Sequence, residues 1–142
     1  MTDPKNSLPD LDLIRMVQEA RMQHDSEALP SKAGGVYWIE AKRKLGDYPA
    51  PTPRSGQWVI PTTLQDVDAL WLKIKQATEA GKLGHKSKVS TAAGPGQADS
   101  EARLICVRTY DSADESDVQR VLNALRELGI EGDLRYEKDR ES

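Results

Sequence analysis

Hydrophobic positions along this chain switch between a two-residue period and a three-to-four-residue period, which predicts alternating strands and helices. In GVYWIEAKR (35–43) Val36, Trp38 and Glu40 point one way and Tyr37, Ile39 and Ala41 the other, as side chains do along a strand. SGQWVIP (55–61) is a second strand with Trp58 and Ile60 on one face. The period then lengthens over TTLQDVDALWLKIKQATEAGK (62–82): Val67, Leu70, Trp71, Ile74 and Ala77 form one apolar helical face. Asp66, Asp68, Lys73, Lys75 and Glu79 face water, and Trp71 reads as core. Thr62 or Thr63 is expected to cap this helix, Thr62-x-x-Gln65 fitting a capping box, and Gly81 predicts its end.

HKSKVSTA (85–92) has strand spacing but is polar on both sides, Lys86, Lys88 and Ser90 opposing His85, Ser87, Val89 and Thr91. A strand of that kind belongs at a sheet edge or lines a wet site. RLICVRTY (103–110) sets Ile105, Val107 and Thr109 against Leu104, Cys106, Arg108 and Tyr110. Ser112-x-x-Glu115 predicts the cap of a helix running to Gly129, buried through Val118, Val121, Leu122, Leu125 and Leu128. DLRYEK (133–138) is a final strand with Leu134 and Tyr136 on one face.

Outside these segments, residues 1–9 are polar with two prolines and read as disordered, and residues 139–142 as a frayed tail. A helix is expected over 10–29, capped by Asp10 and stopped by Pro30; its stripe of Leu11, Ile14, Val17 and Met22 serves the core or a protein partner. Residues 93–102, with two glycines around a proline, read as a mobile loop. Residues 10–138 form one α+β domain: an antiparallel-rich sheet with helices packed on one face and the other face available to a ligand.

Composition changes this picture little. The 142 residues suit one domain, no apolar run reaches the length of a membrane span, and the acidic start lacks a secretory core, so a cytoplasmic protein is expected. One cysteine, Cys106, excludes an internal disulfide and reads as a small buried hydrophobe. Two distant histidines and one cysteine do not make a zinc site, no glycine-rich phosphate loop is present, and neither cofactor nor metal is expected. Net charge is −3, yet every charged residue from Lys82 to Lys88 is basic, and Lys42, Arg43 and Lys44 form a second basic run. An acidic chain with a local basic face points to an anionic ligand held in one place. The proline-stiffened loop GDYPAPTPRSG (46–56), carrying Tyr48 and Arg54, is either a binding loop or a connector whose tyrosine covers the core.

Gly56-Gln57-Trp58, Asp66-x-Asp68-x-Leu70-Trp71-Leu72, KVSTA and RLICVRTYDSADESDVQRVLNALRELGI resemble the basophilic leukaemia expressed protein family, over about Val36 to Lys138. Bacterial members of that family carry a phosphothreonine lyase label. The resemblance implies the fold of translation initiation factor 4E, a curved antiparallel sheet backed by helices. It also implies a ligand site in which Trp38 or Tyr48 stacks and Lys86, Lys88, Arg108 and Arg135 neutralise phosphate.

The reading favoured by sequence is non-enzymatic binding of a nucleotide, an RNA end or a phosphopeptide. The enzymatic alternative is phosphothreonine lyase-like β-elimination, with Lys88 and His85 as catalytic groups. The third reading is a protein-interaction module using the N-terminal helix or the convex helical face.

Overall fold

The structure, a computed structural model, describes residues 29–31, 38–92 and 101–139. The helix expected over 10–29 and the loop expected over 93–102 fall almost wholly outside the described residues. Five strands and two helices are seen: β1 (Trp38–Lys42), β2 (Gly56–Thr63), α1 (Val67–Glu79), β3 (Lys86–Ser90), β4 (Ala102–Thr109), α2 (Glu115–Glu127) and β5 (Arg135–Lys138). The strands make one sheet in the order β1-β3-β4-β2-β5, and every pair is antiparallel. This is the expected α+β class. Among the described residues no helix is long and apolar enough to cross a membrane.

β3 overturns the edge expectation. It lies inside the sheet, paired with β1 on one side and with β4 on the other. A strand so polar is tolerated there because its inward serine is satisfied: Ser87 is fully buried, and its hydroxyl meets that of Thr78 from α1 at 2.7 Å. Thr78 in turn donates to the carbonyl of Ile74 at 2.7 Å. Val89 completes the buried side of β3, leaving Lys86 and Lys88 on the opposite face.

Both helix starts also differ from expectation. Thr62 and Thr63 remain in β2, paired with Arg103 and Ala102, so no capping box forms on Thr62. The chain turns instead at 64–66, where the Asp66 N–H donates to the Thr63 carbonyl at 3.1 Å, and α1 begins at Val67. In α2 the cap is Asp114 rather than Ser112; its carboxylate accepts the Asp117 N–H at 3.1 Å. Ser112 lies two residues too early, its N–H donating to the Arg54 carbonyl at 2.7 Å. Both helices end on a glycine of positive φ, Gly81 and Gly129. At the second, the Ile130 N–H returns to Leu125 and the Gly129 N–H to Arg126, with Leu125 and Ile130 both in the core.

The core lies between the helices and one face of the sheet. Ile39, Ala41, Val89, Ile105, Val107, Trp58 and Ile60 come from the strands, Val67, Trp71, Ile74 and Ala77 from α1, Val121 and Leu125 from α2. The Trp58 indole N–H donates to the Val118 carbonyl at 3.0 Å, fixing α2 over β2. Ahead of β1, Pro30 is buried, and the Ser31 N–H and hydroxyl bond to Asp68 at 3.0 and 2.5 Å, fastening that segment to the first turn of α1.

Adjacent positions on α1 therefore differ sharply in energetic weight. Trp71 is 3% exposed and Leu72 is 52% exposed. Trp71→Ala is expected to lower the unfolding free energy by about 3–5 kcal/mol. Leu72→Ala is expected to change it by about 0.5 kcal/mol or less. Denaturant titration of the two variants reads the difference.

Candidate functional site

Strand alternation and register decide which side chains leave the helix-packed face. Row by row, Lys42, Lys86, Arg108, Gln57 and Glu137 lie directly opposite one another across all five strands. The next row is Glu40, Lys88, Cys106, Val59 and Arg135. Trp38, paired with Ser90, begins the third. The face away from α1 and α2, helix-free among the described residues, thus gathers Trp38, Lys86, Lys88, Arg108 and Arg135, all named from the sequence. Like charges directly opposite one another destabilise a sheet, so three cations in one row, Lys42, Lys86 and Arg108, need an offset.

The offsets are uneven. Lys86 pairs with Glu40 at 2.7 Å, and this bond, with the further pull of Lys42 and Lys88, holds the Glu40 carboxyl below its ordinary range. The Lys88 ammonium sits over the Trp38 ring, 4.4 Å from its centroid. On the other half of the face, Arg108 pairs with Asp139, and Arg135 pairs with Glu137 at 3.3 Å. The β5 side is balanced charge for charge. Among the described residues the β1–β3 side sets Lys42, Lys86 and Lys88 against Glu40 alone. At the centre, Cys106 and Val59 are buried, and burial pushes the thiol up from its ordinary value. The unbalanced positive charge among the described residues of this face lies at its β1–β3 margin.

Tyr48 lies elsewhere. It lines a cleft of about 380 Å³ at the end of the sheet, with Arg43, Asp47, Gly81, Tyr110, Asp114, Asp117 and Arg120. Its hydroxyl donates to Asp117 at 2.5 Å and accepts the Tyr110 N–H at 3.2 Å; burial and the Asp117 bond raise its pKa. The Arg43 guanidinium covers the ring, 4.6 Å from its centroid. The walls of this cleft satisfy one another. Arg43 donates to the carbonyls of Leu83, Gly84 and Leu45, and Arg120 to those of Lys82 and Leu83 and to Asp117. The Tyr110 hydroxyl bonds to Asp114, which raises its pKa to about 12. Three carboxylates in the lining make the cleft unsuitable for an anion.

The loop carrying Tyr48 and Arg54 is bound down along its length. The Thr52 N–H donates to Tyr110, and Arg54 grips both oxygens of Asp111 with contacts of 2.8 to 3.3 Å. Of the two sequence readings of this loop, the structure supports the connector.

A family model described as basophilic leukemia-expressed protein Bles03 matches residues 50–137. The chain belongs to this family. Among solved structures it is similar to Ascaris suum eIF4E-3 with m7G cap, at 19% identity and a TM-score of 0.47, over 63% of this chain and 53% of that one. The match therefore spans about half the length of that solved chain. No curated protein matches the chain.

Of the sequence-named residues, Lys86, Lys88, Arg108, Arg135 and His85 fall within the stretch matched by the Bles03 family, while Trp38 and Tyr48 precede it. Lys42 was read only as part of a basic run and Glu40 only as an alternating position of β1; their meeting with Lys86 and Lys88 needed the register. His85 lies just ahead of β3, its carbonyl accepting the Arg43 N–H at 3.0 Å and its ring 6.3 Å from that of Tyr48. Its Nδ1 is buried without a partner, and burial, aided by Arg108 and Lys86, lowers its pKa to about 4. Asp111 is also lowered, to about 2, chiefly by Arg54 and then by the Ala113 N–H.

Both shifts make the fold acid-sensitive, because in each window the unfolded chain binds the extra proton. The stability that comes from neutral His85 is complete above 6.5 and is lost as pH falls toward about 4. That from ionised Asp111 is complete above 3.8 and is lost toward about 2. Denaturation midpoints measured against pH are expected to flatten in the upper window for His85→Gln and in the lower one for Asp111→Asn.

Proposed function

We propose that this chain is a non-enzymatic binding module that holds a phosphate-bearing ligand on the helix-free face of its sheet. The ligand sits at the β1–β3 margin, where Lys86 and Lys88 supply charge and Trp38 an aromatic face. The observation that carries this reading is the cross-strand row of Lys42, Lys86 and Arg108, flanked by Lys88 on Trp38. Three lysines facing one glutamate are a standing electrostatic cost that an anion relieves. Charge-assisted bonds from Lys and Arg to phosphate are the strong class of hydrogen bond. A stacking group displaces the Lys88 ammonium from the Trp38 ring and frees it for phosphate. Nucleotides, RNA ends and phosphopeptides all present these groups.

Catalysis by Lys88 with His85 is disfavoured by placement. The Lys88 ammonium is engaged over the Trp38 ring, while His85 lies ahead of β3 beside the Tyr48 ring.

Tryptophan fluorescence tests the binding reading. Of the three tryptophans, Trp58 and Trp71 are buried in the core, so a ligand-induced change reports Trp38. Titration with nucleotides, cap analogues and phosphopeptides is expected to quench it, more weakly as salt rises. Lys86→Ala and Lys88→Ala are each expected to weaken binding by about 10- to 100-fold, the size of a charge-assisted hydrogen bond. Unchanged affinity in both variants would sink the site.

A further inference from the structure

Arg108 stands apart from the other cations of this face. Its side chain is only 13% exposed, whereas that of Arg135 is 66% exposed. Neutral groups fix its orientation: Nη1 donates to the Gln57 amide oxygen at 2.9 Å, and Nη2 to the Ser55 hydroxyl at 3.1 Å. Ser55 is itself buried and donates to the Thr109 carbonyl at 2.6 Å, so its lone pairs are turned toward the guanidinium. The one charged partner of Arg108 among the described contacts is Asp139, whose side chain is 39% exposed.

Asp139 reaches that position by extending the β2–β5 ladder one residue past Lys138. Its N–H donates to the Ser55 carbonyl at 2.9 Å, so the residue expected to begin a frayed tail is held by its backbone. Its carboxylate is not needed for that. It faces the same side as Arg135 and Glu137 and covers the solvent end of a preorganised guanidinium.

We propose that Asp139 is an internal occupant of an anion subsite at Arg108, and that the ligand of this site is a phosphate monoester, which displaces it. This rests on the binding reading above and names its ligand chemistry and regulation. A tethered carboxylate competes at high effective concentration, so a singly charged group gains little by replacing it. A monoester carries close to two negative charges at neutral pH and three acceptor oxygens. Lys86 lies directly opposite Arg108, so one such group meets both cations where Asp139 meets one. Arg108 then contributes without rearranging, because Gln57 and Ser55 already hold it. A phosphodiester, with a single charge, is disfavoured by the same competition.

The test uses methyl phosphate and dimethyl phosphate as probes, followed by amide shifts in NMR titrations of the full chain at low salt. Methyl phosphate is expected to bind the wild-type protein and dimethyl phosphate to be weaker by at least the loss of one charge. Asp139→Asn is expected to tighten methyl phosphate about three- to fivefold, the size of a part-exposed ion pair. It is also expected to narrow the gap between the two probes. Arg108→Gln in the Asp139→Asn background is expected to abolish that gain. Asp139→Ala serves as a second variant, since the backbone bond to Ser55 survives either substitution. If Asp139→Asn and Asp139→Ala leave affinity unchanged or weaker while Lys86→Ala weakens it, the occupant proposal is overturned and the binding reading stands. If neither wild type nor Asp139→Asn binds either probe, both are overturned.

Discussion

The ladder between β2 and β4 is the constraint on which the other elements depend. Eight consecutive pairs join Gly56–Thr63 to Ala102–Thr109. Side chains alternate with a period of two, so a slip of one residue would exchange the faces of the whole strand. Ile105, Val107 and Thr109 would leave the core and Cys106 and Arg108 would enter it. Inserting a guanidinium among Trp58, Val121 and Leu125 is costly enough to make the register effectively unique. From this ladder β3 and β1 extend on one side and β5 on the other, so the same register that builds the core assembles the cation rows on the opposite face.

The two faces use basic residues differently. On the helix side and at the end of the sheet, Arg43 and Arg120 converge on the backbone between α1 and β3, both donating to the Leu83 carbonyl, at 2.7 and 3.0 Å. These cations serve as structural donors. Their guanidiniums satisfy carbonyls that a tight turn cannot pair within itself. On the helix-free face the cations meet side-chain acids instead, and acids are supplied mainly from β5. The resulting asymmetry is lateral: balanced toward β5, positive toward β1. The local sign of charge follows from which strand carries the acids, while the net charge of −3 of the whole chain points the other way.

Periodicity made most of this fold legible. The buried stripe of α1, the alternation of β4 and the Leu134 and Tyr136 side of β5 are all where their spacing puts them. Two kinds of feature were hidden. The first is polar satisfaction at a distance: Ser87 reads as an exposed strand residue until Thr78 of α1 is seen beside it. The edge assignment of β3 failed for that reason. The second is competition between local motifs. Thr62 and Ser112 both offer capping boxes, but the β2–β4 ladder retains Thr62 and the docking of the 46–56 loop claims Ser112. Of the candidate site, residue types were legible and company was not. Nothing in the spacing tells that Lys86 faces Lys42 and Arg108, or that Tyr48 is held by Asp117 at the far end of the sheet.

The same geometry bears on whether such a face does chemistry. β-Elimination needs a base within hydrogen-bond reach of the proton it removes and cations at the leaving phosphate, both on one side of the substrate. Here the cations are on the helix-free face, while His85, whose imidazole is kept neutral at pH 7, lies beyond the end of the sheet beside Tyr48. Glu40, the carboxylate nearest the lysines, is bonded to Lys86, and that bond makes it a poorer base by lowering its pKa. Cations and an aromatic ring on one face, with Glu40 bonded to Lys86 and His85 beside Tyr48, suit the proposed binding of an anion better than the removal of its proton.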